Sequence, residues 1–336
     1  MSQTLQSSHR PGNREGSKAS RLVVTHLPIH TPYDGSSRLF QIGLKQLDPA
    51  NWMEIDDSFD FQLAEKRRIH AEHGAEVFVA EDGTEDAQAE VLTLLRTHLP
   101  ARFPERYSIK DGRLTVAGHP ELDGLQARDL PPLKIASLLV QEDLILMRRG
   151  DESTGEGGWR LAAGALCFPS SWVLTEKFGK AMSDIHEPVP GFGPGTRNAG
   201  LIDRMFDRLQ VAQPVERFNW SIQSGEALYH PLSNVQRIDR ATGRPTRFPD
   251  AGSAADAFIR VERQTLRKLP VSGDILFTIR IHLDPIALLA KRPDRVALAA
   301  SFADQLLSLD ADQLDYKGLT ADRDRLVEAL RTIAIA

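Results

Sequence analysis

The fold class is decided by Ala257-Phe-Ile-Arg-Val-Glu-Arg-Gln-Thr-Leu-Arg-Lys268, then Leu269-Pro-Val-Ser-Gly-Asp274, then Ile275-Leu-Phe-Thr-Ile-Arg-Ile-His282. The two outer segments are rich in β-branched residues, which favour strands. The Pro, Ser, Gly and Asp between them are typical of a turn. The pattern therefore predicts a long antiparallel hairpin.

Shorter strands are predicted on the N-terminal side of this hairpin. Leu138–Val140 and Leu144–Met147 flank Gln141-Glu-Asp143 and predict a tight hairpin, and Trp159–Phe168 predicts a third strand. Arg217–Ile222 predicts a further short strand. Because no strand–helix–strand alternation recurs, an α+β fold with an antiparallel sheet is favoured over a doubly wound sheet.

Helices are predicted around the sheet. Apolar residues recur at helical spacing in two N-terminal segments, in one segment that follows Pro169-Ser-Ser171, and in two segments at the C-terminus. The segments are Phe59–Glu72, Glu85–Leu99, Trp172–Ile185, Arg295–Leu309 and Ala321–Ile333. We predict a disordered or extended leader over residues 1–38. Residues 39–336 are predicted to form one domain with an N-terminal helical cap and C-terminal helices.

The composition excludes several classes of function. A net charge of −5 gives no general attraction to nucleic acid or anionic lipid. No apolar stretch is long enough to span a bilayer, and the N-terminus lacks the apolar core of a signal peptide, so a cytoplasmic location is expected.

The single cysteine, Cys167, also limits the chemistry. It rules out an internal disulfide, and it rules out a thiolate zinc site or an iron–sulfur cluster held by this chain alone. No dinucleotide fingerprint or P-loop is present. Any redox reaction catalysed by this chain would therefore need electrons from another protein. Cys167 itself is either a haem thiolate or, as is usual for a lone cysteine in an apolar strand, a core residue.

His186 is the most informative histidine. It follows a predicted helix directly and precedes Glu187-Pro188, so its backbone is rigidly placed. The chain before it offers an apolar surface that suits a flat macrocycle, formed by Phe168, Trp172, Phe178 and Met182. His186 is then either a metal ligand beside this surface or a residue that caps the last carbonyl groups of the helix.

The long hairpin carries unusual charge. Strand alternation puts Arg263 on one face with Val261 and Thr265, and Arg280 lies on the facing strand. Because a guanidinium group suits carboxylates, Arg263 and Arg280 are predicted to hold an anion such as a haem propionate. The alternative is an exposed polar face with cross-strand ion pairs.

Several stretches together, in order from about residue 40 to residue 285, resemble the haem-dependent oxidative N-demethylase alpha-subunit-like family. The stretches are Ile42-Gly-Leu-Lys-Gln-Leu-Asp-Pro49 with Trp52 near Ile55-Asp56, Cys167-Phe-Pro-Ser-Ser-Trp172, Ile185-His-Glu-Pro-Val-Pro190, Arg217-Phe-Asn-Trp220, and Glu262-Arg-Gln-Thr-Leu-Arg267 with Leu276-Phe-Thr-Ile-Arg280.

The resemblance implies a PAS-like antiparallel sheet that binds b-type haem, with the haem iron bound by His186. It also implies oxidative removal of a methyl group from a small amine such as dimethylamine, which releases formaldehyde. Electrons would come from NADPH through separate flavin and iron–sulfur subunits. The alternative function is a haem-binding PAS-like sensor or binding protein without catalysis.

Overall fold

The computed structural model describes residues 26–125, 129–150 and 157–335. Nine strands occur in these residues: β1 (Lys45–Gln46), β2 (Phe78–Ala80), β3 (Tyr107–Lys110), β4 (Arg113–Val116), β5 (Asp143–Arg149), β6 (Trp159–Ala165), β7 (Val215–Gln223), β8 (Phe258–Lys268) and β9 (Ile275–Pro285). Seven of them form one antiparallel sheet in the order β1-β7-β8-β9-β5-β6-β2, and β3 and β4 form a separate hairpin. The α+β prediction with an antiparallel sheet is confirmed.

Eleven helices surround the sheet in the described residues. They are α1 (Phe59–His73), α2 (Glu85–Arg102), α3 (Pro132–Leu139), α4 (Leu174–Lys177), α5 (Met182–Ile185), α6 (Arg197–Asp207), α7 (Asn234–Gly243), α8 (Ala251–Ala255), α9 (Arg295–Leu307), α10 (Ala311–Lys317) and α11 (Arg323–Ile335). Over the ranges that the structure describes, none of these helices combines the length and the apolar character needed to cross a bilayer.

The predicted long hairpin is the centre of the sheet. Strands β8 and β9 pair in register from Phe258 opposite Pro285 to Lys268 opposite Ile275. Because side chains alternate along a strand, Glu262 and Gln264 point to one side of the sheet, while Arg263 and Arg280 point to the other. The helices that cover these two sides differ.

We call the side that carries Glu262 the cavity face, because a cavity separates it from the chain between β6 and β7. The other side, with Arg263, is the opposite face. Helices α1, α2 and α3 pack an apolar cluster against one part of the opposite face, around Leu276. Helices α9 and α11 pack a second cluster against another part, around Val261.

The prediction of a strand at Leu138–Val140 is wrong, because residues 132–139 form α3. Pro132 begins this helix, where the missing N–H and fixed φ of proline are favourable. A short apolar run does not by itself distinguish a buried strand from a buried helix. Strand β5 pairs instead with β6 and β9.

The prediction of one helix over Trp172–Ile185 is also wrong. The segment forms two short helices, α4 and α5, with a break at Gly179, whose φ is +74°. The break is stabilised by β6, since the Gly179 N–H donates to the Leu161 carbonyl at 2.9 Å and the Leu161 N–H donates to the Lys180 carbonyl at 3.1 Å. These tertiary hydrogen bonds replace those of a continuous helix.

The predicted leader over residues 1–38 is only partly within the described residues, since residues 1–25 lie outside them. Residues 26–38 pack against the domain. Tyr33 is fully buried, and its ring stacks on Phe302 with 4.3 Å between the ring centroids. The predicted boundary at residue 38 therefore lies too far along the chain.

Candidate functional site

A largely apolar cavity lies between the cavity face and the chain that connects β6 to β7. Its empty space is about 1510 Å³ when the open solvent at its mouth is included, whereas the volume to compare with other cavities is about 250 Å³, below the roughly 300–1,000 Å³ of pockets that hold drug-sized ligands. Its apolar lining includes Ile145, Met147, Trp172, Met182, Phe192 and Phe206. The cavity is therefore open at its mouth and mainly apolar inside.

The wall opposite the sheet presents His186. This residue follows α5 directly, and both its backbone N–H and its Nδ1 lie near the Met182 carbonyl, at 3.1 and 3.0 Å. A ring nitrogen that contacts a carbonyl must carry the proton, so Nδ1–H donates and Nε2 keeps its lone pair. The ring therefore caps the helix and can also act as a ligand.

Nε2 of His186 has no hydrogen-bond partner among the described residues. Burial lowers the pKa of His186 to about 4, with smaller contributions from the charges of Arg217 and Lys177. The imidazole is thus neutral at physiological pH, which is the form that binds a metal. A hydrogen bond from the second ring nitrogen to a carbonyl is the usual way in which proteins orient a metal-binding histidine.

The sheet wall presents one carboxylate, that of Glu262. Asn219 Nδ2 and Gln264 Nε2 donate to Glu262 Oε2 at 3.3 and 2.9 Å. Oε1 has no hydrogen-bond partner among the residues described. Glu262 lines the cavity, so one carboxylate oxygen remains available for a cationic ligand.

Four cationic side chains also line the cavity, namely Lys177, Arg217, Arg237 and Lys317. Burial lowers the pKa of Lys177 to about 8 and that of Lys317 to about 8. The pKa of Arg217 is also lowered by burial, and its buried Nε has no hydrogen-bond partner within the described ranges. With four cations and one carboxylate, the lining favours an anionic ligand.

Two residues of the lining have a strained backbone. Phe40 and Ser171 have φ values of 58° and 64°, in the left-handed region that residues with a Cβ rarely adopt. Ser171 is fixed there by its N–H, which donates to the His230 carbonyl at 3.1 Å, and by Arg240 Nη1, which donates to its Oγ at 3.0 Å. Strain of this kind concentrates at functional sites.

Comparison with protein families gives one match. The family model described as haem-dependent oxidative N-demethylase, alpha subunit-like, matches residues 43–327. The chain belongs to this family. The match includes every strand of the sheet and the whole connection from β6 to β7.

The residues of the cavity fit the haem on which the family is described as dependent. A haem needs an apolar slot, an axial ligand and cations for its two propionates. The lining supplies apolar side chains, a neutral His186 with an open Nε2, and an excess of positive charge. The unpartnered Nε of Arg217 is a donor that a propionate would satisfy.

The predicted site residues fall into two groups. His186 and Trp172 both line the cavity. Phe178 belongs to the apolar cluster beside it but does not line it. Cys167 is fully buried outside the lining, and burial raises the pKa of its thiol, which supports the interpretation as a core residue.

The prediction that Arg263 and Arg280 hold a haem propionate needs correction. Both are buried on the opposite face, away from His186. Arg263 Nε donates to Glu216 Oε2 at 2.8 Å, and Arg280 Nη2 donates to Asp56 Oδ2 at 2.6 Å. Their guanidinium groups are already occupied by carboxylates of the protein itself.

Sequence reasoning missed the polar residues of the cavity. Glu262 alternates with Arg263 along β8, and Arg217 and Asn219 lie within one of the stretches that carry the family resemblance. A signal was therefore present for these three. Lys317 gave no such signal, because it comes from α10, which the sequence did not predict.

Proposed function

We propose that this chain is the catalytic subunit of a haem-dependent mono-oxygenase that removes a methyl group from a small amine, with dimethylamine as the model substrate, and releases formaldehyde. The family match supports haem dependence and oxidative chemistry. The observation that carries the proposal is His186, whose Nδ1–H is held by the Met182 carbonyl while Nε2 is open at an apolar cavity.

The proposed role of His186 is to bind the iron of b-type haem through Nε2. Bound haem supplies a redox-active iron at which oxygen can be activated. Trp172 and Met182 would contact the macrocycle, and Arg217 and Arg237 would hold its propionates. A PAS-like fold is part of this proposal, and it is supported by the β6-β5-β9-β8-β7 core of the sheet with a ligand cavity on one face.

The proposed role of Glu262 is to bind the amine. A dialkylamine is an ammonium ion at neutral pH, and it needs a hydrogen-bond acceptor with a negative charge. Glu262 Oε1 is the available acceptor in the cavity, while Asn219 and Gln264 hold Oε2 in place. The apolar lining would enclose the methyl groups and exclude water from them.

The proposed partners are flavin and iron–sulfur subunits that pass electrons from NADPH. Oxidation of an N-methyl group to formaldehyde by oxygen needs two further electrons and two protons, which reduce the second oxygen atom to water. The single cysteine and the lack of a dinucleotide fingerprint in the sequence favour an external electron source. We propose a cytoplasmic location for this assembly.

The test is formaldehyde production by the haem-loaded chain. With NADPH and dimethylamine alone, the chain should give no formaldehyde, and a flavoprotein reductase or a chemical reductant with oxygen should start production. If the chain alone consumed NADPH in step with formaldehyde, the partner requirement would be wrong. If no methylated amine gave formaldehyde with a working reductase, the proposal of a demethylase would give way to that of a haem-binding sensor.

A further inference from the structure

The opposite face carries a buried ionic network at a distance from the cavity. The network joins the segment before α1 to the middle of β8 and β9 and lies between the two apolar clusters of this face. Its members are Glu54, Asp56, Glu216, Arg263, Arg280, His282 and Asp284, and His30 lies at its edge.

Three of these residues are spaced like the ligands of one metal ion. Glu54 Oε2 lies 3.1 Å from His30 Nε2 and 3.0 Å from His282 Nε2, and the three ligand atoms all lie within 4.8 Å of one another. Ligand atoms in a tetrahedral zinc site are about 3.3 Å apart, as bonds of about 2.0 Å require. Small shifts would place an ion between them.

Asp56 orients His282 for this role. His282 Nδ1 lies 3.5 Å from Asp56 Oδ2, and Asp56 is itself fixed by Arg280 Nη2 at 2.6 Å. A neutral imidazole carries one N–H, so it can donate to Asp56 or to Glu54 but not to both. If Nδ1–H donates to Asp56, the lone pair of Nε2 faces Glu54, which is the carboxylate–histidine arrangement found beside bound metals.

The network carries a surplus of carboxylates that a divalent cation would balance. The network has two more carboxylates than guanidinium groups. The carboxylates are those of Glu54, Asp56, Glu216 and Asp284, and the guanidinium groups are those of Arg263 and Arg280. The nearby carboxyl of Glu142, which accepts the Glu54 N–H at 3.1 Å, does not reduce this surplus.

Asp284 is a second, independent observation that favours a cation in this network. It lies two residues beyond His282 on the same face of β9, is 1% exposed, and interacts electrostatically with His282 and His30. Neither of its carboxylate oxygens has a hydrogen-bond partner among the described residues. Because a buried carboxylate without a partner is costly, a cation close to it would be stabilising.

We propose that His30, Glu54 and His282 bind one divalent transition-metal ion of the zinc class, with the buried carboxylate of Asp284 as a nearby counter-charge. Two histidines and a carboxylate suit zinc. Arg263 Nε, at 3.3 Å from Glu54 Oε1, leaves Oε2 to the ion. Since His30 and Glu54 precede α1 and His282 lies on β9, the ion would clamp the N-terminal segment to the sheet.

The test is metal binding by the full chain in the form in which it is purified. The protein is stripped with a chelator, equilibrated with Zn²⁺ alone and analysed for bound zinc, and Co²⁺ serves as a second probe through its visible absorption. We expect one Zn²⁺ per chain. His30→Ala and Glu54→Gln should each weaken Zn²⁺ binding at least tenfold. The control His73→Ala removes a half-buried histidine whose Nδ1 lies 3.5 Å from Glu76, with no third ligand nearby among the described residues, and this variant should bind zinc normally.

His30 is half-buried, so His30→Ala decides the result even if Glu54→Gln fails to fold. Removal of zinc should leave the absorption of bound haem unchanged, because the two sites lie on different faces of the sheet. A wild-type chain that binds no stoichiometric zinc would overturn the proposal. A His30→Ala chain that binds zinc as tightly as the wild type would also overturn it.

Discussion

The two faces of the β8–β9 hairpin both carry polar side chains at their centre but use them in different ways. On the opposite face, Arg263 and Arg280 are each paired with a carboxylate of the chain, at 2.8 and 2.6 Å. On the cavity face, Glu262 keeps one oxygen without a hydrogen-bond partner in the part of the chain that the structure describes, and Nε2 of His186 across the cavity likewise has none there.

This difference indicates which residues of the sheet hold it together and which are available to bind a ligand. A buried charge that is paired with a carboxylate of the chain holds secondary elements together, and its removal leaves that carboxylate unpaired. A polar atom held by its neighbours but open on one side is prepared for a ligand. The ligand specificity of the cavity should therefore depend on Glu262 and His186, and the integrity of the sheet on Arg263 and Arg280.

The largest expected effect is on stability, from Arg280→Met. It would leave Asp56 buried without its main partner, and breaking such a pair costs about 3–5 kcal/mol. Denaturant unfolding should show this loss in the free energy of unfolding. Arg68→Met, which removes the exposed ion pairs with Glu65 and Glu72, serves as the control and should cost less than about 1 kcal/mol. If Arg280→Met lowered the free energy of unfolding no more than Arg68→Met does, the structural role assigned to Arg280 on the opposite face would be wrong.

The next effect is on substrate binding, from Glu262→Gln. The change keeps the shape of the side chain but removes the charge that would bind the ammonium group. A hydrogen bond to a charged group contributes about 1.5–3 kcal/mol, so KM for dimethylamine should rise about 10- to 100-fold. The haem absorption should not change. The control Glu216→Gln, on the opposite face, should leave KM unaltered. If the two variants had equal KM values, the assignment of Glu262 as the residue that binds the amine would be wrong.

A smaller effect is expected on haem retention, from Arg217→Met. Loss of one charge-assisted contact to a propionate should raise the rate of haem loss about tenfold, or about 1.4 kcal/mol. Transfer of haem to an excess of apomyoglobin measures this rate. In folded Arg263→Met protein the rate should match the wild type. If Arg263→Met alone lost haem faster than the wild type, the propionate site would have to be assigned to the opposite face.

The sequence was sufficient for the central hairpin of the sheet but not for the choice of face. Alternation along residues 257–282 predicts which side chains share a face of the hairpin, and β8 and β9 confirm the pairing. Which face holds a cavity depends on the chain between β6 and β7. That chain is positioned by Asp143, whose carboxylate accepts the N–H groups of Cys167 and Phe168 at 2.9 and 2.8 Å.

Such contacts between distant residues leave no periodic signal. Asp143 was predicted to lie in a turn, yet it is fully buried at the start of β5, 3.4 Å from the amine of Lys66. Likewise, the hydrogen bonds between Leu161 and the Gly179 segment end α4 early, and this end shifts Phe178 away from the cavity lining. The place of His186 directly after a helix could be predicted from local features, the end of that helix and the prolines after it, whereas its role as an iron ligand was implied only by the family resemblance.

The most direct test of His186 as the iron ligand is the absorption spectrum of His186→Ala reconstituted with haem. We expect a lost or shifted Soret band in a protein that stays folded by circular dichroism, and partial recovery of the wild-type band when free imidazole fills the vacated space. His73→Ala should keep the wild-type spectrum. A wild-type Soret band with full haem occupancy in His186→Ala would contradict the assignment of His186 as the iron ligand.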